Sequence, residues 1–96
     1  MLELTSRELE KKLIEKYRLE GDLTAFDQLV NDGLRLSISI ARKYSGDQTR
    51  LTIIGMIGWF KAITKFDIKK TYRLATYATW WINEEISKYQ KLKSKE

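Results

Sequence analysis

The chain has 96 residues, with 18 Lys and Arg residues against 13 Asp and Glu residues, and it contains no histidine, cysteine or proline. A chain of this length predicts one domain with a modest core, and the missing residue types remove the usual transition-metal ligands, the imidazole base, the thiol nucleophile and disulfides. We therefore expect an intracellular protein that is not an enzyme and that uses no metal or cofactor.

Helices joined by short loops are predicted throughout, because the chain lacks proline and is sparse in glycine. The fold class is therefore all-α, with about four helices in a single domain. We divide the domain into a lead-in helix over about residues 5–20, the core and last helices over 22–90, and a frayed basic tail over 91–96. The lead-in helix is predicted to begin at Thr5, whose hydroxyl would form a capping box with Glu8.

The second helix follows Gly21 and is predicted to be capped by Asp22 or Thr24. Its apolar face continues to Tyr44, past the tripeptide 31–33, which ends in glycine. That tripeptide either breaks the helix or only weakens it, because a glycine inside a helix costs about 1 kcal/mol relative to alanine.

A third helix over about residues 51–65 is apolar nearly all round in its first half. Gly55 and Gly58 share one face with Ala62, which predicts a neighbouring helix that approaches closely. The facing set comprises Ile53, Ile57 and Phe60. If these three side chains are exposed, they predict a partner site.

The last helix, from about Tyr72, carries more large aromatic side chains than its core-facing stripe requires. That stripe is predicted to consist of Ala75, Ala78, Ile82, Ile86 and Tyr89. Tyr77, Trp80 and Trp81 lie mostly outside the stripe, and two adjacent Trp residues cannot both point inward. Their rings could stack on unpaired bases, or Trp81 and Tyr77 could be ordinary core residues.

Positive charge is concentrated beside these aromatic residues. Residues 61–96 carry nine Lys and Arg residues against four acidic ones, whereas residues 1–60 carry nine of each. This asymmetry favours contact with phosphates and a salt-dependent affinity. The candidate phosphate ligands are Lys61, Lys65, Lys69, Lys70 and Arg73, while the lysines of the tail are read as a solvated end.

Motifs for catalysis or for membrane insertion are missing from the sequence. Gly55 and Gly58 stand inside a predicted helix and lack the loop that cradles a phosphate. No apolar run approaches the roughly 20 residues of a membrane span, and the start of the chain lacks the pattern of a signal peptide. We expect a cytoplasmic protein without membrane partners.

The motifs together resemble domain 2 of the bacterial sigma-70 family. The likeness runs in order from about residue 34 to residue 88. It rests on Arg35-Leu36, Ile40-Ala41-Arg42-Lys43-Tyr44, Ile57-Gly58, Lys61-Ala62, Lys65-Phe66-Asp67 and Thr76-Tyr77-Ala78-Thr79-Trp80-Trp81-Ile82. The last of these is the most specific, and residues 73–78 resemble the version found in sporulation sigma factors.

The resemblance implies contact with promoter DNA through the last helix and the loop before it. Trp80 and Trp81 would wedge at the upstream edge of the melted minus-ten element, and Tyr77 would stack on the flipped adenine of the non-template strand. The pocket around that adenine would comprise Phe66, Lys70, Tyr72 and Thr76, while Lys61, Lys65, Lys69 and Arg73 would follow the phosphates. Glu84 replaces a base-reading glutamine beside Lys88, and Gly33 replaces an asparagine that helps to hold a downstream flipped base.

The resemblance also implies docking on the clamp helices of core RNA polymerase. This surface would comprise Arg50, Ile53, Ile54, Met56, Ile57 and Phe60. It departs from the family, which carries aspartate, glutamine, glutamate and asparagine at the positions of Arg50, Ile53, Ile54 and Met56. Two alternatives therefore stay open: an interaction module that binds polymerase, an anti-sigma factor or a complementary sigma half without reading DNA, and a basic protein that binds nucleic acid without sequence preference.

Overall fold

The computed structural model describes residues 6–94, and within that range it contains four α-helices and no strand, which confirms the all-α prediction. Helix α1 spans Ser6–Glu15 and continues into a π-helical turn over Lys16–Glu20. Helices α2, α3 and α4 span Leu23–Ala41, Gln48–Lys65 and Leu74–Lys93. Thr5, and with it the predicted capping box, lies outside the described residues. None of the described helices is long and apolar enough to cross a membrane.

The lead-in segment, which we define as α1 and the π-helical turn, ends where the sequence predicts. Gly21 has φ 62°, a left-handed conformation that glycine adopts without steric cost, and its N–H donates to the carbonyls of the preceding turn. Asp22 then caps α2 by accepting a hydrogen bond of 2.9 Å from the N–H of Ala25. Of the two predicted caps, Asp22 is thus the one used.

Helix α2 runs without interruption through the tripeptide that could have broken it. The indole of Trp59 lies against Gly33 so closely that a Cβ at residue 33 would collide with the ring. Packing therefore offsets the cost of a glycine inside the helix. Helix α2 ends at Ala41, earlier than its apolar pattern predicts, and the side chain of Tyr44 instead reaches α4, where its hydroxyl donates to Asn83 Oδ1 at 2.6 Å.

Helices α3 and α4 approach each other closely through glycine, as predicted. Helix α3 begins at Gln48, three residues before the predicted start, because Asp47 caps it by accepting from the N–H of Arg50 at 3.2 Å. A Cβ on Gly58 would lie 2.8 Å from the Cα of Ile82, and one on Gly55 would lie 3.1 Å from the Ile82 side chain. The two glycines allow this contact, which brings the aromatic helix onto the core.

The buried face of α4 differs in part from the predicted stripe. Leu74, Ala78, Ile82 and Ile86 are buried, whereas Ala75 is exposed, so the prediction for that alanine is wrong. The reason is that α4 begins at Leu74, which occupies the first core-facing position. Tyr72, where the sequence predicts the start of the helix, lies in the loop before it.

Candidate functional site

Five aromatic side chains form one continuous strip along α4 and the preceding loop. The ring centroids of Trp80 and Trp81 are 5.1 Å apart, and those of Trp81 and Tyr77 are 6.3 Å apart, both with edge-on geometry. Tyr77 stacks on Tyr72 at 6.1 Å and packs against Phe66 at 5.7 Å. We call Phe66, Tyr72, Tyr77, Trp80 and Trp81 the aromatic strip.

The members of the strip differ in how much of each ring reaches solvent. Trp80 is 59% exposed and Tyr72 is 39% exposed, whereas Phe66 is only 2% exposed. Tyr77 and Trp81 are half-buried and pack against the core. The prediction that at least one of the paired Trp residues lies at the surface is confirmed by Trp80. Phe66 can serve only as the floor of a pocket, because its ring is covered.

Trp81 combines features of a core residue and of a binding residue. Its Nε1 atom is buried and has no hydrogen-bond partner among the described residues. The Nζ atom of Lys65 lies 4.8 Å from the centre of its ring, which is within the range of a cation–π contact. Lys65 therefore brings a positive charge to the strip.

Two of the lysines that are predicted to contact DNA from helices carry acidic partners. Lys61 forms an ion pair with Glu85 of α4, whose side chain is only 13% exposed. Lys88 lies 3.9 Å from Glu84, one turn away on the same helix. Both lysines are partly neutralised by these partners, so they offer a phosphate less charge than the sequence count predicts.

Positive charge without an acidic partner lies in the loop between α3 and α4. Lys69 and Lys70 are exposed, and no ion pair involves either of them among residues 6–94. The loop is shaped by Asp67, whose carboxylate accepts from the N–H of Lys69 at 2.9 Å and whose carbonyl accepts from the N–H of Lys70 at 3.1 Å. The two lysines follow Phe66 by three and four residues in the same loop, so they lie beside the strip.

Arg73 is bound by a carboxylate that the sequence did not point to. Its Nε and Nη2 atoms donate to the two carboxylate oxygens of Glu10 on α1, each at 3.1 Å. Glu10 also accepts from the N–H of Leu74 at 3.0 Å, so it caps the first turn of α4. These hydrogen bonds raise the pKa of Arg73. Arg73 thus already has a carboxylate partner, and its predicted contact with a phosphate stays a prediction.

Arg18, in the π-helical turn, is the second residue that the sequence did not identify. Its Nε donates to the carbonyl of Ile63 at 3.0 Å, and its Nη2 donates to the carbonyl of Phe66 at 2.7 Å. Those carbonyls belong to the end of α3 and to the first member of the strip. No local pattern signals this contact, because 45 and 48 residues separate the partners in sequence.

An apolar surface lies on the opposite flank of α3. Ile53 is 60% exposed, Ile57 45% and Phe60 37%, so the condition set for a partner site is met. Leu34 and Ile38 of α2 extend this surface, which we call the apolar face.

The other residues of the predicted docking surface are less available. Ile54 and Met56 are half-buried and pack against the core, and the Sδ atom of Met56 accepts a hydrogen bond from Ser37 at 3.4 Å. Arg50 is exposed and donates to the hydroxyl of Tyr89 at 3.4 Å. A partner would therefore meet Ile53, Ile57 and Phe60 first.

A cavity of about 370 Å³ lies between α1, α2 and the start of α4. Leu9, Leu36 and Leu74 contribute apolar walls, and Trp59 lines the cavity as well. Trp59 is 3% exposed, and its Nε1 has no hydrogen-bond partner among the described residues. The indole lies against Gly33, which has no side chain. The buried donor at this place in the fold is therefore the indole N–H of Trp59.

Comparison with known proteins agrees with this architecture. A family model described as sigma-70 region 2 matches residues 29–95. The RNA polymerase sigma factor SigA of Clostridium acetobutylicum is 41% identical over 88 residues, which cover 88% of this chain and 23% of that protein. SigA of a Nostoc species is 40% identical over 76% of this chain and 20% of its own length. SigA of Listeria monocytogenes is 42% identical over 71% and 19%. The chain thus spans about a fifth of the length of these curated relatives.

Proposed function

The chain belongs to the sigma-70 family through its region 2, and from this premise we propose that it is a promoter-recognition module. In this role it docks on core RNA polymerase and holds the minus-ten element of a promoter open, without catalysing a reaction. The observation that carries the proposal is the aromatic strip, with Trp80 exposed at one end and cationic side chains along its edge.

Strand capture would replace the stacking of base on base by the stacking of base on ring. The free face of Trp80 is the largest exposed aromatic surface of the strip. A base that stacks on such a ring gains about 1–3 kcal/mol, which is comparable with the few kcal/mol needed to unstack it. Trp81, held edge-on behind Trp80, would keep the wedge rigid.

A flipped adenine would lie against Tyr77, which is the centre of the strip. Phe66 supports that ring from below and Tyr72 stacks on it, while Thr76 is exposed beside it. The rings already contact one another in the free protein, so little ordering would be needed on binding. The hydroxyls of the two tyrosines and of Thr76 are the polar groups that could read a base edge here.

Phosphates would be bound mainly by the lysines of the loop. Lys69 and Lys70 have no carboxylate partner among residues 6–94, and Lys65 lies over the ring of Trp81. Each phosphate contact contributes to the salt dependence of binding without reading sequence. Lys61, Arg73 and Lys88 would contribute less, since each already has a carboxylate partner.

A downstream base would not meet the asparagine amide that the family resemblance implies at residue 33, because the indole of Trp59 lies against Gly33 and occupies the place of that side chain.

Docking on the clamp helices of core polymerase would use the apolar face. Ile53, Ile57 and Phe60 expose enough hydrocarbon to favour a partner that covers them. The family resemblance implies a docking surface at these positions of α3. An apolar contact here would replace the polar pairs of that surface, so docking would depend little on salt.

A second function is favoured by the same face. A sigma-like module that binds polymerase, an anti-sigma factor or a complementary sigma half would need the apolar face but not the aromatic strip. The two functions differ in what they require of Trp80, which lies on α4 and is not part of the apolar face.

Titration of the domain with a labelled single strand separates these functions. We expect a strand with a TATAAT-like non-template sequence to bind more tightly than its scrambled permutation, measured by fluorescence anisotropy at two salt concentrations. The same titration is repeated with core RNA polymerase present, since docking could order the complex. Equal affinity for both strands under all these conditions would contradict promoter reading. The interaction module would then be the remaining proposed function.

A further inference from the structure

The loop that carries two of the five rings of the aromatic strip is held at both ends by one segment of the chain. This loop, residues 66–73, connects α3 to α4 and includes Phe66, Lys69, Lys70 and Tyr72. Glu10 of α1 binds its far end through Arg73 and the N–H of Leu74. Arg18 of the π-helical turn binds its near end through the carbonyls of Ile63 and Phe66.

The charges of the two side chains match the helix ends that they contact. A carboxylate is favoured at the positive N-terminus of α4, and a guanidinium is favoured at the negative C-terminus of α3. Both sets of hydrogen bonds are charge-assisted, which makes them stronger than neutral ones. Glu10 is also well shielded, with a side chain only 15% exposed. Glu10 and Arg18 therefore each carry the charge that stabilises the helix end they contact, the N-terminus of α4 and the C-terminus of α3.

The π-helical turn helps one segment to reach both ends. Residues 10 and 18 would lie about 80° apart around a regular α-helix. A π-helical turn rotates less per residue, so the turn over Lys16–Glu20 brings Arg18 closer to the face that carries Glu10. The segment is anchored by Ile14, which is fully buried between these two residues.

We propose that Glu10 and Arg18 form a lead-in brace, a pair of positioning residues that hold loop 66–73 in the conformation in which the strip accepts bases. This inference rests on the proposed function. Arg73 then belongs to the brace, with its guanidinium committed to Glu10 in place of a phosphate. Neither brace residue touches the base. Each acts by fixing the rings of Tyr72 and Phe66 relative to Tyr77.

The first test compares Glu10→Ala with Glu15→Ala, which removes the same charge from the same helix at an exposed residue. We expect the ratio of affinities for the TATAAT-like strand and its permutation to fall about fivefold in Glu10→Ala, the size expected for the loss of a helix cap. Affinity for the scrambled strand should stay constant or rise, because Arg73 becomes free to bind phosphate. A merely structural role would lower both affinities together.

The second test keeps the positive charge of residue 18 and removes only the planar guanidinium group. Arg18→Lys keeps one charged nitrogen but loses the planar pair of donors formed by Nε and Nη2, and Arg7→Lys makes the same change at an exposed position of α1. We expect selectivity to fall in Arg18→Lys alone. If Glu10→Ala fails to fold, Glu10→Gln retains an acceptor for the N–H of Leu74 and removes the charge that binds Arg73.

A readout without DNA separates the brace from promoter reading. The ring-proton NMR shifts of Tyr72 and Tyr77 report their stacking, and they should move in Glu10→Ala but not in Glu15→Ala. Unchanged shifts in the brace variants would overturn the inference whatever the DNA result. Shifts that move while the selectivity of the variant equals that of the wild type would also overturn it. A wild-type chain without selectivity would instead refute the proposed function.

Discussion

Replacement of Trp80 by alanine should remove strand capture and leave the fold intact. The ring is 59% exposed, so roughly two fifths of about 250 Å² is buried. At about 25 cal/mol per Å² this area contributes about 2.5 kcal/mol, and the higher helix propensity of alanine returns about 0.5 kcal/mol. The expected loss of about 2 kcal/mol leaves a domain of typical stability folded, since such domains have about 5–15 kcal/mol.

The loss of binding should be visible in the preference for the target strand. One base stack is worth about 1–3 kcal/mol, which corresponds to a weakening of about 5- to 150-fold. Anisotropy of a labelled TATAAT-like strand measures this without relying on tryptophan emission. Leu92→Ala is the matched control, because Leu92 is 67% exposed on the same helix but lies about 18 Å further along it.

The two failures of this prediction have different meanings. If Trp80→Ala binds the target strand as the wild type does, no base stacks on that ring, and the proposal loses the observation that carries it. If the variant loses its helical circular dichroism at 25 °C, the ring is structural despite its exposure. Thermal unfolding of both variants decides which of these has occurred.

Three further substitutions test the loop, the apolar face and the helix contact. Lys70→Ala should weaken binding to target and scrambled strands alike and reduce the salt slope by about 0.7, so a loss confined to the target would contradict a phosphate role. Ile53→Glu should abolish retention on core RNA polymerase while leaving the melting temperature within about 3 °C of wild type, as expected for a surface substitution; retention by a folded variant would place docking elsewhere. Gly58→Ala should destabilise the domain by about 1–3 kcal/mol, because its Cβ would meet the backbone of α4; an unchanged unfolding midpoint in urea would contradict this close contact.

Local patterns were sufficient to predict the helices and some of their ends. Gly21 and Asp22 act within one turn of their own position, and such effects can be read from neighbouring residues. Asp47 acts as locally, but the predicted start of α3 came three residues after its cap. The face formed by Gly55 and Gly58 was also predicted, because helical spacing alone places both on one side. The exposed position of Ala75 was missed, since the spacing did not reveal that Leu74 opens the helix toward the core.

Contacts between distant parts of the chain decided what the sequence could not predict about the site. Gly33 in α2 gives no hint of its partner, because the indole of Trp59 arrives from α3. The brace residues are likewise charged residues on a helix surface until the fold brings them to the ends of loop 66–73. A pattern with helical period identifies a face, but it does not identify what covers that face.

The charge count is the clearest example of this limit, and it changes how the site is understood. The sequence places nine cationic residues in positions 61–96 and suggests a broad basic surface. The fold pairs Lys61, Arg73 and Lys88 with carboxylates. The partner of Lys61 belongs to α4 and the partner of Arg73 belongs to α1, so both come from a different element of the fold. Among residues 6–94, the cations beside the aromatic strip that have no carboxylate partner are Lys65, Lys69 and Lys70. Because paired charges contribute little to the field at a distance, the strand should be held at the loop, where its bases can reach the rings.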